Sequence, residues 1–447
     1  MNHSVLKRLS LLLIIFVLCA VNLFYANKAT TPMPVDVDTK GLTNDSVTGA
    51  ILVAGQPSAS NISAPSIAWS KTYPDVTGLG QWILQTSDGG YLTDYGDSVF
   101  SMLKTDSSGN PQWNQSYSVE ISGYGQNVVQ TSDGGYAVAA TYQKQFFLLK
   151  IDEVGNQQWN KSYTVPGSGS ARAIIQTHDG GYALLGTGTQ QATPPESSVV
   201  AWLVKTNSEG NVEWTQNIGT NSPKSLVQTS DGGYAIAKDF CFNLVKLDSN
   251  GTVEWSRTYV DRDKNEVSCV VQTSDGGFAL TGYMWRRING GRTYAALVKT
   301  DAHGTEQWVQ YYDAYYADSM TKTADGGFAL VCSGSLVKAD ANGSVQWFIR
   351  TGAQYVIQTT DGGFALTGAV VINDTLYGFG LIKLNRDPAL PPASPTPTEP
   401  STSNSESNFS LNLPAKLFVV ALVVIIAVAS VAVAISLRRK RLKFARG

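Results

Sequence analysis

Seven aspartates recur at equivalent places in the chain, each inside a copy of the heptamer QTSDGG(Y/F) or a close variant. Seven carboxylates arranged in a ring could bind cations. The surrounding sequence favours a structural role, because Asp followed by Gly supplies the positive φ values of a two-residue hairpin turn. These turn aspartates are Asp88, Asp133, Asp179, Asp231, Asp275, Asp325 and Asp361.

Few other residues suggest catalysis. With 3 His and 4 Cys in 447 residues, the chain fits neither a multi-histidine metal enzyme nor a disulfide-built scaffold. His178 replaces a turn Ser and His303 lies in a turn at the opposite end of its repeat, so neither suits a general base. No HExxH, GxSxG or phosphate-binding loop occurs. We expect Cys241, Cys269 and Cys332 to be buried thiols, and the alternative is a disulfide between Cys241 and Cys269.

The residues around each heptamer predict four short antiparallel strands. An alternating run such as YAVAAT follows the heptamer, then a run ending in Lys, a D-x-x-G turn and a run with Trp and Tyr such as WNKSY. A four-stranded unit with a period of 36 to 52 residues is typical of a β-propeller blade. The Lys and Trp series are expected to pack within and between blades. The heptamers begin at Gln85, Gln130, Gln176, Gln228, Gln272, Lys322 and Gln358.

The seventh repeat lacks its Trp-containing strand, and a matching segment precedes the first repeat. Residues 69–73 (WSKTY) match residues 255–259 (WSRTY) almost one for one. We therefore predict an all-β fold, a seven-bladed β-propeller of four-stranded antiparallel blades that spans residues 66–387 and is closed by the N-terminal strand. An open solenoid would need capping repeats at both ends, and none is visible.

The segment from Lys246 to Trp255 reads KLDSNGTVEW, and its K-x-D-x-x-G-x-x-x-W pattern resembles the tryptophan-docking motif of quinoprotein-like β-propellers. The QTSDGGY repeat is similar to that of uncharacterised bacterial and archaeal surface propellers. The resemblance covers the whole predicted propeller and implies fold and location rather than activity. Quinoprotein dehydrogenases that resemble this chain have eight blades and a vicinal Cys pair. Because this chain has seven repeats and no adjacent Cys pair, pyrroloquinoline quinone is not carried over and no cofactor is expected.

Both ends of the chain carry apolar segments. Residues 1–26 predict a signal peptide or an uncleaved signal anchor, because Lys7 and Arg8 precede the apolar run and no clean cleavage site follows it. Residues 417–437 are uncharged and apolar, and a helix of this length spans about 31 Å, which predicts a single transmembrane helix. The basic tail, residues 438–447, indicates that the C-terminus is cytoplasmic and the propeller lies outside the cell membrane.

Two segments link the propeller to these ends. Residues 27–65 form an N-terminal linker, and residues 388–416 are a Pro/Ser/Thr-rich stalk that could extend up to about 80 Å. All 35 acidic residues lie between positions 27 and 415, whereas several of the 33 basic residues flank the apolar segments, so nucleic acid is not an expected partner. Glycosylation sequons suit an exposed protein. They lie at Asn44, Asn61, Asn114, Asn160, Asn250, Asn342, Asn373 and Asn408.

A ligand site should lie where the repeats differ, in the loops from strand two to strand three and from strand four to the next blade, which share one face of the ring. The richest of these loops belong to blades five and six. Tyr, Trp and Arg supply large contact areas at low entropic cost and stack on sugars or peptides. The alternative is that several of these rings pack the blade junction. The candidate ligand-binding residues are Trp285, Arg286, Arg287, Tyr311, Tyr312, Asp313, Tyr315, Tyr316 and Asp318.

The sequence therefore favours a membrane-anchored extracellular recognition or adhesion module, or an envelope-organising module, that binds a glycan or a protein. An extracellular hydrolase or lyase acting on polysaccharide and a purely architectural envelope protein are the alternatives. Recognition is favoured over catalysis because no catalytic motif occurs. The ring of blades is a scaffold, and its symmetry does not identify the ligand, a metal site or the dependence on calcium.

Overall fold

The computed structural model describes residues 63–390 with short gaps, together with residues 35 and 36. The gaps are residues 74–75, 77–79, 96–99, 120–126, 192–196, 240, 260–264, 287–290 and 374–375. The predicted signal segment, most of the N-terminal linker, the stalk, the transmembrane segment and the basic tail lie outside the described residues. Within the described part, no helix has the length and apolar character needed to cross a bilayer.

Seven antiparallel sheets, each with one repeat, confirm the all-β seven-bladed propeller. Each of blades one to six has four strands in chain order from its inner to its outer edge. Blade one has β3 (Ile83–Gln85), β4 (Tyr91–Tyr95), β5 (Phe100–Thr105) and β6 (Pro111–Tyr117). Blade two has β7 (Val128–Gln130), β8 (Tyr136–Tyr142), β9 (Gln145–Ile151) and β10 (Gln157–Tyr163). Blade three has β11 (Ser170–Gln176), β12 (Tyr182–Gln191), β13 (Ser197–Thr206) and β14 (Val212–Thr220).

The remaining blades repeat this arrangement. Blade four has β15 (Pro223–Gln228), β16 (Tyr234–Lys238), β17 (Asn243–Leu247) and β18 (Val253–Thr258). Blade five has β19 (Asn265–Gln272), β20 (Phe278–Arg286), β21 (Arg292–Thr300) and β22 (Glu306–Tyr312). Blade six has β23 (Ala317–Lys322), β24 (Phe328–Cys332), β25 (Ser335–Ala339) and β26 (Val345–Arg350). Blade seven has β27 (Ala353–Gln358), β28 (Phe364–Asn373), β29 (Leu376–Leu384), β2 (Ile67–Thr72) and β1 (Val35–Asp36).

The N-terminal strand closes the ring as the sequence predicts. In β2, Trp69 pairs with Lys383 of β29, the same register that joins Trp113 to Lys104 in blade one. The two-residue strand β1 adds to the outside of β2, which the sequence did not predict. Because β2 and β29 lie at opposite ends of the propeller sequence, this pairing joins the two ends into one sheet.

Tryptophans of the outer strands dock against the next blade. Trp113 meets the Tyr136 ring edge-on, with centroids 6.1 Å apart. Trp69 meets Tyr91 of blade one in the same way at 5.7 Å, so the junction of blades seven and one is built like the others. Such edge-to-face pairs add about 0.5–1.5 kcal/mol beyond the area that they bury. The other pairs are Trp159–Tyr182, Trp214–Tyr234, Trp255–Phe278, Trp308–Phe328 and Trp347–Phe364.

The heptamer glutamine links neighbouring blades. The Gln130 side-chain oxygen accepts the backbone N–H of Ser87 in the preceding blade at 2.8 Å, and Gln85 accepts that of Thr360 at 2.8 Å. At the junction of blades five and six, Lys322 replaces this Gln and donates to the Gln272 carbonyl at 3.4 Å. The first residue of the repeated heptamer therefore connects each blade to its neighbour. Equivalent bonds join Gln176 to Ser132, Gln228 to His178, Gln272 to Ser230 and Gln358 to Ala324.

Candidate functional site

Two adjacent tyrosines of the loop between blades five and six protrude into solvent. Tyr315 is 70% exposed and Tyr316 is 45% exposed. Their backbone N–H groups donate to the hydroxyl of Ser333 at 3.1 and 3.4 Å, so the neighbouring blade hairpin holds the loop. Large aromatic rings held on a fixed backbone lose little entropy when they bind a partner.

The arginines of blade five are engaged with neighbouring side chains. The Arg286 guanidinium lies 4.5 Å from the centroid of the Tyr311 ring. Arg292 forms an ion pair with Asp313 and lies 4.4 Å from the centroid of the Tyr294 ring. These contacts fix the planes of two guanidinium groups on one face of the ring. We call it the variable face, because it carries the loops from strand two to strand three and from strand four to the next blade. Arg287 lies outside the described residues.

Two of the predicted ligand residues lie elsewhere. Tyr312 is fully buried, and its hydroxyl donates to the Gly343 carbonyl at 2.9 Å. The prediction that Tyr312 belongs to a ligand-binding surface is wrong, because this side chain packs the junction of blades five and six. Asp318 is not on the outer loop but in β23, where it lines the central channel. Trp285 is half-buried at the end of β20, and its backbone N–H donates to the side chain of Asn265 at 2.8 Å.

The inner strands of the blades surround a channel of about 600 Å³. This volume lies within the range of small-ligand pockets. Its lining mixes apolar side chains such as Leu226 and Met320 with the hydroxyls of Ser225, Ser268 and Ser319. The channel is therefore a cavity with polar groups along its walls rather than a filled core.

A β-bulge occurs at the start of the inner strand in five successive blades. In β11, Ala171 pairs with Gly186 and Ala173 with Leu185, so one extra residue lies between them. The same two-to-one register occurs in β15, β19, β23 and β27. Bulges re-aim a side chain and are frequent beside functional sites. The extra residues, which we call the bulge ring, are Arg172, Lys224, Ser268, Asp318 and Gln354.

The residues of the bulge ring lie at the start of their inner strands, directly after the loop from the preceding blade. They are therefore on the variable face, because alternate strand connections of a blade lie on the same face. Lys224 pairs there with Asp239 at 3.3 Å and with Glu266 at 3.6 Å. Burial lowers the pKa of the Arg172 guanidinium, while the charge of Asp239 opposes that shift. Burial also raises the pKa of Tyr283 to about 12, with the Glu266 charge adding to the effect. Lys224 thus lines the channel and has two carboxylates beside it.

Asp318 is the carboxyl group of the bulge ring. Burial raises its pKa to about 7, since the ionised form loses solvation. A carboxyl group with this pKa can accept or donate a proton near neutral pH. Deeper in the channel, burial also raises the pKa of the Cys269 thiol, which makes that thiol a weak nucleophile.

The turn aspartates lie at the opposite ends of the blades from the bulge ring and are structural. Partial burial opposes ionisation of Asp88, but hydrogen bonds from Lys104, Thr86 and the Gly90 N–H outweigh it and lower its pKa to about 2. Lys104 reaches Asp88 at 2.8 Å with a side chain that is 3% exposed. Sequence reasoning assigned the Lys stem to packing and missed this ion pair. The same pair occurs as Lys150–Asp133, Lys205–Asp179, Lys246–Asp231, Lys299–Asp275, Lys338–Asp325 and Lys383–Asp361.

The structure also bears on the metal, thiol and glycan positions that the sequence suggests. In the described ranges, no cluster of three or more His, Cys, Asp or Glu could hold a metal ion. Cys241, Cys269 and Cys332 carry thiols, so the bridge between the first two is absent. Among the sequons, Asn160, Asn250 and Asn342 are exposed and Asn114 is half-buried. Asn373 ends β28, whereas Asn44, Asn61 and Asn408 lie outside the described residues.

Sequence reasoning missed most of the bulge ring. The signal was present, because the residue two before the apolar position of each inner strand differs strongly between repeats. In chain order this position holds Gln81, Gln126, Arg172, Lys224, Ser268, Asp318 and Gln354. Alternation alone assigns such a residue to a blade face, whereas in blades three to seven a register shift makes it the extra residue of a bulge.

No protein-family model matches this sequence, and no curated protein matches it either. Solved structures are similar in fold. A streptogramin B lyase is 12% identical, with a TM-score of 0.49 over 70% of this chain and 96% of that chain. The WD40 propeller domain of Doa1 is 11% identical, with a TM-score of 0.46 over 69% and 93%. A protein of unknown function from Bacteroides caccae is 12% identical, with a TM-score of 0.40 over 58% and 93%. At such low similarity these structures carry no argument about activity.

Proposed function

We propose that this protein is a membrane-anchored extracellular recognition module that binds an envelope glycan or protein through the variable face of its propeller. The observation that carries the proposal is the contrast between the two faces. On the turn face, which is the opposite face and carries the heptamer turns, the same Gln, Asp and Lys contacts recur from blade to blade. On the variable face, the loops of blades five and six are richer in aromatic and Arg side chains than those of the other blades.

The exposed tyrosines support recognition over a packing role. Tyr315 and Tyr316 are adjacent and exposed, and their backbone is held by Ser333. The stacked Arg286 and Tyr311 pair lies in the same two-blade region. Rings and guanidinium groups of this kind are enriched where proteins bind partners. We call Tyr315, Tyr316, Arg286 and Tyr311 the aromatic rim.

The location is proposed from the sequence alone. The apolar segment 417–437 and the basic residues after it are the pattern of a single membrane span with a cytoplasmic tail. The Pro-rich stalk would hold the propeller away from the membrane surface. An extracellular partner would then approach the variable face or the turn face, and the former differs more between blades.

A second candidate is a hydrolase or lyase that acts on extracellular polysaccharide. The observation in its favour is Asp318, whose pKa is raised to about 7 in a channel that also contains Lys224. A carboxyl group near its pKa suits general acid or base catalysis. We rank this function second, because an acid/base group alone does not identify a reaction.

The test is binding of the purified chain to envelope polysaccharides and surface proteins, with calcium or with a chelator, while products are checked for cleavage. Replacing both Tyr315 and Tyr316 by Ala should weaken binding by about tenfold or more and leave the melting temperature unchanged. Tyr142→Ala is the matched control, since Tyr142 is 43% exposed and ends β8 of blade two. Equal binding by the double variant and the control would refute the aromatic rim, and turnover would favour the enzyme.

A further inference from the structure

We infer that the central channel is a binding site for a small aliphatic amine, whose ammonium group pairs with Asp318 and whose methylene chain lies against the apolar walls. The groups that would hold this ligand all line the same cavity of about 600 Å³. This site goes beyond the proposed recognition function and does not depend on it, because it lies inside the channel and not on the aromatic rim.

Asp318 is a carboxyl group of the channel wall without a counter-charge. Among the described residues, it forms neither a hydrogen bond nor an ion pair. Asp313 of the preceding loop, by contrast, pairs with Arg292, and every turn aspartate pairs with a lysine. An ionised carboxyl group that is partly buried without a partner is unfavourable. A bound cation would supply the missing charge.

Lys224 is the other charged group among the described residues that line the cavity. Its ammonium group lies 3.3 Å from Asp239 and 3.6 Å from Glu266, so two carboxylates face one positive charge. Arg172 also interacts with the charge of Asp239. Together with Asp318, these groups are three carboxylates and two cations. The surplus of negative charge favours a cationic ligand over an anionic one.

Hydroxyl groups near Asp318 can accept further hydrogen bonds from an ammonium group. Ser319 follows Asp318 in β23 and lines the cavity, and its buried hydroxyl has no hydrogen-bond partner. Ser268 holds the same bulge position in the adjacent blade five and also lines the cavity. Buried polar groups are nearly always hydrogen-bonded in native proteins. An ammonium group donates up to three hydrogen bonds, which a carboxylate and neighbouring hydroxyls can accept.

The walls further along the channel suit a methylene chain. The residue that follows the apolar position of the inner strand is itself apolar in four blades, and these side chains are half-buried and line the cavity. They belong to Leu84, Val227, Val271 and Ile357. Apolar surface that remains in contact with water gains free energy when a hydrocarbon chain covers it. An aliphatic amine combines such a chain with the cation that Asp318 requires.

The experiment measures binding of the full-length chain, in detergent, to putrescine and to spermidine by calorimetry. The uncharged analogues of matched length are 1,4-butanediol and 1,8-octanediol, and succinate is the anionic comparison. The measurements are made at pH 8, because burial raises the pKa of Asp318 to about 7 and the carboxyl group is then ionised. We expect at least one amine to bind about tenfold or more tightly than its diol, and succinate to bind more weakly than that amine.

Substitutions of the two charged groups separate binding from folding. Asp318→Asn should abolish the preference for amine over diol without lowering the melting temperature, because it removes a carboxylate that has no partner in the fold. Asp318→Glu keeps the charge and should bind with intermediate affinity. Lys224→Gln should raise the affinity for amines about threefold or more, because it removes a positive charge from the channel wall. The matched control is Glu153→Gln, which should bind like wild type because Glu153 is exposed in a turn of blade two.

Three results would overturn the inference. They are a wild-type chain that does not distinguish either amine from its diol, an amine affinity that Asp318→Asn leaves unchanged, and a lower amine affinity in a folded Lys224→Gln variant. Failure of this site is separable from failure of the proposed function. A chain that ignores both amines but binds envelope material through Tyr315 and Tyr316 refutes the amine site alone, and the reverse result refutes the proposed function alone.

Discussion

Closure of the ring by β2 makes the sharpest prediction for stability. Deleting residues 63–73 removes the strand that pairs with β29. It also removes Tyr73, which is 1% exposed and donates to the Gly109 carbonyl of blade one at 2.8 Å. We expect the deleted protein not to fold, whereas deletion of residues 27–60 should lower stability only slightly, since only β1 would be lost.

The magnitude follows from the contacts of two side chains. Truncating a fully buried aromatic residue such as Tyr73 costs about 3–5 kcal/mol, and its hydrogen bond adds about 1 kcal/mol. Loss of the Trp69 edge contact with Tyr91 adds about 0.5–1.5 kcal/mol. The sum reaches the lower part of the usual stability range of about 5–15 kcal/mol, before the exposed backbone of β29 is included.

The assay is thermal and urea unfolding of the propeller, followed by circular dichroism and limited proteolysis. A rescue variant carries residues 63–73 after residue 391 through a short glycine linker, so that the same strand returns from the other end of the chain. We expect it to recover most of the melting temperature. The reasoning is refuted if the protein lacking residues 63–73 unfolds at nearly the same urea concentration as the intact one.

Three other predictions concern charge and pH. Lys338→Met should lower the free energy of unfolding in urea by about 3–5 kcal/mol, because Lys338 is 0% exposed in its ion pair with Asp325. Lys322→Met is the control, because Lys322 is exposed, and equal effects of the two substitutions would contradict the prediction. The free energy of unfolding should fall as the pH drops from about 4 towards 2, because Asp88, Asp179, Asp231 and Asp275 have pKa values lowered to about 2 in the folded state. An acid titration followed by circular dichroism checks this, and no loss of stability above pH 2 would contradict it. Burial raises the pKa of Asp94 to about 7, so its ionisation disfavours folding increasingly as the pH rises from about 4 to 7. Asp94→Asn should therefore be about 2–4 kcal/mol more stable than wild type at pH 8 and equally stable at pH 4. A stability difference that does not change with pH would contradict this.

The candidate site was only partly predictable from the sequence. Composition drew attention to the loops of blades five and six, and Tyr315 and Tyr316 are exposed there. It could not distinguish them from Tyr312, which belongs to the same run of aromatics but lies in the core. Tyr312 is the last residue of β22 and packs the blade junction, whereas Tyr315 and Tyr316 lie in the loop that follows, and the residue at which a strand ends is poorly specified by sequence.

The repeat by itself determined the fold, because seven copies of a hairpin signal, six of them followed by a docking Trp, predict seven equivalent sheets. The match between residues 69–73 and 255–259 even predicted how the ring closes, since equivalent sequences occupy equivalent strands. Tertiary structure alone decided which residues form the bulge ring. Arg172 and Asp318 are separated by more than a hundred residues, and they belong to one ring because the same bulge recurs at the start of their inner strands. A bulge depends on pairing with a partner strand, and a linear sequence does not contain that register.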